Sequence, residues 1–556
     1  RRSLSRCIIR TRSNVWRSFA AGSKQAEGNA FHCLQQQLPT GVSLADAIND
    51  FFASVSADLP ILTDDILQNL SNDYSDLFVI DVETVENRLM SIDLNKSPGP
   101  DNVPSWVLRD FAPFLSQPVC AVYNASVREG FFPDCWKSAE VIPVPKVRPP
   151  CSLQNDLRPI SLLPVLAKVL ESIVGEWMLE TLRPSIDPCQ FGALKDRSTA
   201  HALISVLHEW ASALDAGGSV RAVFVDFRKA FDHVDHNLLI SKMMARNVPH
   251  CLVKWFHAYL SCRKQRVRVD GEISGWLDLR GGMPQGSWLG LLSFLVLIDD
   301  LKLPCRVHKY VDDTTLTEIL NSVPCTTAMD TFLFQLQTWT DLNHMAINFT
   351  KTKEMLFGPL SRSSLQSLSI GNNTIERVAQ FKLLGVHVSN DLRWNIHVDK
   401  ICAKASSRLY FLKQLKRAGL APDQLLHFYL SVVRPVLEYC SVVWHHGLTK
   451  SQSEQIEAVQ RRAIRIIYPL TSAMSYQLAL SYADIPPLHS RRVHLNKSFF
   501  LNIFHPTSCL HSLLPPPRET DVIARLRSAP RYPVPRSRTA RYRSFIHYSL
   551  AHYQPR

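Results

Sequence analysis

The stretch KYVDDTTL at 309–316 decides how the rest of the chain is read. Two adjacent aspartates, Asp312 and Asp313, follow an apolar run and precede threonines, which favour extended backbone. The pattern predicts two short strands joined by a tight turn with carboxylates at its tip. Carboxylates crowded at one point repel one another unless a cation lies between them, and hard oxygen donors suit Mg²⁺. A solvated surface turn would carry the same letters, so the choice depends on what else in the chain can meet this pair.

The strongest partner is SVRAVFVDFRKAFDHV at 219–234. Residues 220–227 form a nearly unbroken apolar run of strand length and read as a buried central strand. Asp226 stands at its end, where a buried charge is costly unless paired or on a metal. A helix is expected to follow through Lys229, Ala230, Phe231, Asp232 and His233. In GGMPQGSWLGLLSFLVLIDDL at 281–301, Gly282, Gly286 and Gly290 bracket Pro284 and Gln285. That spacing predicts a tight loop which another backbone or a ligand can approach closely, followed by a buried helix.

Basic residues lie at the ends of expected elements. Residues 139–144 alternate as a strand and deliver Lys146, and Arg158 precedes a Pro-capped helical stretch. Both suit a triphosphate, and both equally suit a solvated surface. The segment 255–269, WFHAYLSCRKQRVRV, passes from helix to strand and clusters Arg263, Lys264, Arg266 and Arg268, a set fitted to a phosphate backbone or to a solvated face. Helices are expected at 45–54 and 105–114, and after a cap at Ser198 or Thr199. Later, Ile401, Ala405, Leu409 and Leu412 share one helical face, and 451–454 has capping-box form ahead of Ile456, Val459, Ala463 and Ile466.

The chain has 556 residues, enough for two to four folding units. Its 46% hydrophobic and 20% charged content is that of a globular protein, and a net charge of +13 favours a polyanionic partner. Thirteen cysteines without a CxxC pair argue against zinc ribbons, and the odd number argues against a disulfide framework. No apolar run reaches the length of a membrane span; GLLSFLVLI at 290–298 is too short. The first residue is not Met, and the chain reads as a fragment of a longer protein.

The order FVDFRKAFDHV (224–234), GMPQGSWLG (282–290) and YVDD (310–313) resembles the reverse-transcriptase domain of non-LTR (LINE-type) retrotransposons. KSPGPD (96–101), IPVPK (142–146), LRPIS (157–161) and QFGALKDRST (190–199) fit that family, as do KTKEMLFG (351–358) and FKLLGVHVSNDLRW (381–394). The likeness runs from about Lys96 to Arg492. It implies an α+β right-hand polymerase. Residues 1–93 would be an extension, 94–220 fingers, 221–370 an antiparallel-sheet palm, 371–500 a helical thumb, and 501–556 a basic Pro/Arg-rich tail.

The resemblance assigns Asp226, Asp312 and Asp313 as catalytic carboxylates that hold two Mg²⁺ ions (or Mn²⁺), with the carbonyl of Phe227 as a further ligand. It assigns Lys146 and Arg158 to the dNTP triphosphate, Phe231 to exclusion of a 2′-hydroxyl, Gln285 and Gly286 to the templating pair, and Lys351 to the pyrophosphate. Arg263, Lys264, Arg266 and Arg268, with the tail, would hold an RNA template and a DNA primer or target. By the same resemblance the work is target-primed retrotransposition in the nucleus. An apurinic-type endonuclease would lie upstream, and 1–93 shows no trace of one. Departures at Ala193, Asp196, Leu291 and Ser293 remove no metal ligand. The rival reading is a catalytically decayed element that only binds nucleic acid. Nothing in the sequence sets the oligomeric state.

Overall fold

A computed structural model describes residues 31–39, 41–70, 78–320, 327–362, 365–519 and 530–554. The chain is α+β and divides into two compact units that interleave in sequence. One is built from 1–186, 228–300 and 340–346, the other from 187–227, 301–339 and 347–556. No helix among the described residues is long and apolar enough to cross a membrane.

In the first unit, strand Ser138–Pro145 pairs antiparallel with Leu157–Leu162 and parallel with Lys264–Val269. Helix Leu44–Ser54 covers this sheet, burying Leu44, Ile48 and Phe52 with Val141, Leu157 and Val267. Further helices complete the unit, among them Ala112–Glu129, Val165–Leu182, His250–Leu260 and Trp288–Ile298. The last is buried nearly all round, as its unbroken apolar sequence requires. It packs so closely that a Cβ on Gly175 would lie 1.9 Å from the Trp288 ring.

The second unit holds a five-stranded sheet in the order Glu376–Arg377, Lys353–Phe357, Ser219–Val225, Asp313–Leu320, Arg306–Tyr310. Pairing is antiparallel except at the Glu376–Arg377 edge. Every residue of Ser219–Val225 is buried, as expected for the centre of a sheet. Helix Thr199–Asp215, capped by Ser198, lies against the sheet, and its buried Trp210 donates to Thr317 Oγ1 at 3.0 Å. Helices Asn395–Arg417, Lys450–Ile467, Leu488–Ile503 and Phe545–His552 share one large apolar core with it. Ile401, Ala405, Leu409 and Leu412 all face that core, as do Ile456, Val459 and Ala463; Ile466 is half-buried.

Several expectations need correction. Residues 229–233 form turns, and the helix starts only at His236, with Asp235 as its cap. Lys229 takes a left-handed φ of 45° that breaks any helix there. Arg158 does not open a helix but lies in strand Leu157–Leu162. Pro159 is tolerated in that strand because only one neighbour pairs with it. The helix expected at 105–114 stops at Asp110, and a second, longer one begins at Ala112. The capping box sits two residues earlier than expected, between Thr449 and Gln452. Part of the tail is folded: helix Phe545–His552 buries Phe545, Ile546 and Leu550 in the second unit's core. Tail residues 520–529 and the first thirty residues lie outside the described set.

Candidate active site

In the second unit, Arg306–Tyr310 and Asp313–Leu320 form the hairpin expected from YVDD, closed by the Tyr310–Asp313 pair. Val311 turns the corner with φ of 59°, a conformation a β-branched residue adopts only when its surroundings hold it there. Gln190 supplies the hold. It is fully buried, and its Oε1 accepts the N–H of Val311 at 3.1 Å and of Gly192 at 2.9 Å. The chain around it is laced to the hairpin by Phe191 N–H to Lys309 O and Lys309 N–H to Cys189 O. A Cβ on Gly192 would lie 2.4 Å from the Val311 nitrogen, so only glycine fits. Neither Gln190 nor Gly192 was singled out as a site residue from the sequence. The only available signal was their place in a quoted motif.

The central strand brings the third acid. Val225 pairs with Thr314, so the next residue, Asp226, comes alongside Asp313. Opposed residues of antiparallel strands are about 5 Å apart at Cα. Asp226 is held by its own N–H to Thr352 Oγ1 at 3.3 Å and by Asn348 N–H to its carbonyl at 2.7 Å. Phe227 forms a β-bridge with Ile347, but its carbonyl takes no part in the Asn348 bond. Lys351 places Nζ 3.6 Å from Asp226 Oδ2 and remains exposed.

The electrostatics are those of a crowded anionic site. Burial, and then repulsion from Asp226, raises the Asp312 carboxyl above its ordinary range; Lys351 works the other way. Asp313 keeps an exposed face yet is pushed up to about 6 by desolvation, by Asp312 and by Asp226. Asp226, Phe227, Asp312, Asp313 and Lys351 are thus gathered at one end of one sheet. Among the described residues no three acidic, histidine or cysteine side chains are drawn tightly enough to form a ready metal cage. In charge and donor type the cluster nonetheless fits a hard divalent cation, which would relieve the repulsion.

The first unit gathers another expected set. Asp232, missed by the sequence reading, is its hub. Gln285 Nε2 donates to Asp232 Oδ1 at 2.8 Å, which fixes which end of the Gln285 amide faces away. Burial raises the Asp232 carboxyl to about 6 despite Gln285, Lys229 and Lys146 nearby. Phe231 stacks obliquely on Phe294, with ring centroids 5.1 Å apart. The loop carrying Gln285 is pinned to the sheet by Ser161 N–H to Gln285 O at 2.8 Å. A Cβ on Gly286, at φ 136°, would meet Ser161 O at 2.7 Å. Lys146 lies just past its strand, and exposed Arg158 pairs with Val144 two residues before it, so the two cations share one face.

The basic strand does not form the expected open cluster. Arg263 is buried, donates to Tyr259 O at 3.0 Å and stacks over the Tyr259 ring. Arg266 and Arg268 both pair with Glu140. Exposed Lys264 has Asp278 at 3.6 Å. Of the four, Lys264 and Arg268 retain substantial exposure.

Residues 144–388 match the family model described as reverse transcriptase (RNA-dependent DNA polymerase). A short second match, at 394–434, is to the N-terminal part of alkylated DNA repair protein alkB homolog 8. The chain is 28% identical over 407 residues to the probable RNA-directed DNA polymerase from transposon BS of Drosophila melanogaster, covering 70% of this chain and 44% of that protein. It is 26% identical over 455 residues to the RNA-directed DNA polymerase from mobile element jockey of the same organism, covering 79% and 49%. A putative 115 kDa protein of the type-1 retrotransposable element R1DM is 26% identical over 398 residues, covering 70% and 37%. The chain therefore spans less than half the length of these relatives. The acid-tipped hairpin and Asp226 both lie within 144–388, the stretch that is similar to reverse transcriptases, and the relatives it resembles are named for mobile elements.

Proposed function

We propose that the chain extends a DNA 3′-hydroxyl with dNTPs on an RNA template, as a step of target-primed retrotransposition on nuclear DNA. The observation that carries this reading is the convergence of Asp226, Asp312 and Asp313, where burial first and mutual repulsion second raise the carboxyls of Asp312 and Asp313. Bound there, a pair of Mg²⁺ ions would activate the attacking hydroxyl and neutralise the leaving pyrophosphate. Asp226, Asp312 and Asp313 supply the carboxylate donors, and the Phe227 carbonyl is a further one. Lys351, exposed beside Asp226, neutralises charge on the pyrophosphate side. In the first unit, Lys146 and Arg158 grip the triphosphate. Phe231, braced by Phe294, excludes a 2′-hydroxyl, and Gln285 with Gly286 seats the templating pair.

The sheet bearing the carboxylates acts as the palm in this reading, the first-unit sheet as part of the fingers, and the helices from Asn395 onward as the thumb. Lys264 and Arg268 are the members of the basic strand available to a phosphate backbone. The test is extension of oligo(dT) on poly(rA) with Mg²⁺ and dTTP. Incorporation that disappears in Asp312→Asn supports the polymerase. No incorporation by either protein, with retained nucleic-acid binding, leaves only the binder.

A further inference from the structure

The sequence holds an Arg-rich tail, RYPVPRSRTARYR at 531–543, that the chemistry at the carboxylate cluster does not use. In the second unit this tail folds back on helix Thr199–Asp215. The Asp215 carboxylate accepts the backbone N–H groups of Arg538 and Thr539 at 2.7 and 3.0 Å, and Ser544 Oγ meets His208 Nδ1 at 2.8 Å. The fold-back closes one wall of a cavity of about 630 Å³. Leu207, His208 and Ala211 form its floor. The same helix sends Trp210 the other way, onto the sheet, so the cavity lies on the side of the helix away from that contact.

The lining chemistry is one-signed. Arg393, Arg541 and Arg543 line the cavity, and its described lining contains no carboxylate. Arg541 and Arg393 are exposed; Arg393 has Asp391 as a loose partner at 3.6 Å, and Arg543 lies over the Tyr548 ring. Trp394 and Phe545 add two aromatic rings to the lining. His208 and His446 are held neutral, at about 4, mainly by burial, so the cavity's charge comes from the arginines. The volume is in the range of small-ligand sites, roughly 300–1,000 Å³.

We propose that this cavity binds one nucleotide unit of a single-stranded RNA or DNA, with its phosphate on Arg541 and Arg543 and its base against Trp394 and Phe545. Guanidiniums suit phosphate by charge and by paired donors, and aromatic walls suit a base of any identity. The site is separate from the carboxylate cluster. Only the choice of a polynucleotide over a free anion rests on the polymerase reading.

The experiment uses the full chain with 5′-labelled rU12 and dT12, read by fluorescence anisotropy over a salt series, together with photo-crosslinking of 5-iodouracil oligonucleotides. Two variants are compared: Arg541→Ala with Arg543→Ala, and Ala211→Trp, which fills the cavity without removing charge. Loss of both guanidiniums from this phosphate should weaken binding by roughly tenfold and lower the log–log salt slope by about 0.7. Ala211→Trp should weaken binding at unchanged salt slope, and crosslinks should fall on peptides containing Trp394 or Phe545. Stronger binding of rU12 than dT12 assigns the site to RNA, the reverse to DNA. Unchanged affinity in both folded variants, or crosslinks only elsewhere, overturns the proposal. Primer extension by the wild type, scored separately, reports on the polymerase reading and not on this cavity.

Discussion

Two clusters of charge sit on and just past the same central strand, five residues apart, and they are built on opposite plans. At Arg221 the strand carries a fully buried ion pair: Nε meets Glu354 Oε1 at 2.7 Å, with 1% and 0% of the side chains exposed. Arg377 adds a second cation to Glu354 at 2.9 Å, and Arg221 also donates to Thr327 Oγ1 and to the Gln366 carbonyl. Glu318 in turn accepts from Thr327 Oγ1 and Ala328 N–H, each at 2.6 Å. Glu354 is paired with both arginines, and Thr327 links Arg221 to Glu318, so the charges are matched within the fold.

At Asp226 three anions face one exposed ammonium, and burial together with their mutual repulsion raises the carboxyls of Asp312 and Asp313. Folding alone gains nothing from that crowding. The contrast teaches which buried charges belong to the fold and which await a ligand. A cluster whose charges cancel is structural, and one whose charges add is a binding site for the opposite sign.

The largest expected effect is on the unbalanced cluster. On the proposed mechanism, Asp312→Asn should cut primer extension by about a thousandfold or more, since it would remove a carboxylate that neutralises transition-state charge. It should leave urea stability unchanged or slightly raised, because it relieves repulsion. A marked loss of stability would mean the acids are structural and would break the comparison. Next in size, Glu354→Gln leaves Arg221 buried without its counter-charge. It should cost about 3–5 kcal/mol in denaturant unfolding.

The first unit sharpens the contrast through pH. Asp232 titrates at about 6 in the fold, against 3.8 for the ordinary side chain. Between those values the folded chain holds a proton that the unfolded chain has released. Stability therefore falls as pH rises from about 4 to about 6, by up to about 3 kcal/mol from this group. Asp232→Asn should flatten that slope in thermal melts scanned over pH. The smallest effect belongs to Lys351→Met, whose exposed pair with Asp226 should change stability by less than about 1 kcal/mol. A larger loss would show that this ammonium is needed to hold the acids folded.

Much of this was legible in the sequence because it is local. The hairpin followed from an apolar run and threonines on either side of adjacent acids, and the central strand from an apolar run ending in Asp226. Helix Thr199–Asp215 followed from its Ser198 cap. What was not legible depends on distant partners. The turns at 229–233 form where Phe231 and Val234 carbonyls accept the Met283 and Gly282 amides, some fifty residues away. Arg263 reads as one of four basic residues on a strand, yet it is buried because Tyr259 offers it a ring face and a carbonyl. Gln190 looks like any polar residue until the Val311 amide is placed against it. The tail reads only as basic, Pro/Arg-rich chain, and Asp215 and His208 reveal where it docks.

Titration of the protein with Mn²⁺, followed by the electron paramagnetic resonance signal of the free ion, tests the carboxylate cluster most directly. The wild type should take up Mn²⁺ in competition with Mg²⁺. Asp226→Asn and Asp312→Asn should each weaken that uptake by at least about tenfold while melting as the wild type does. Equal uptake by all three proteins would contradict the account, because it would mean that these acids share no ion.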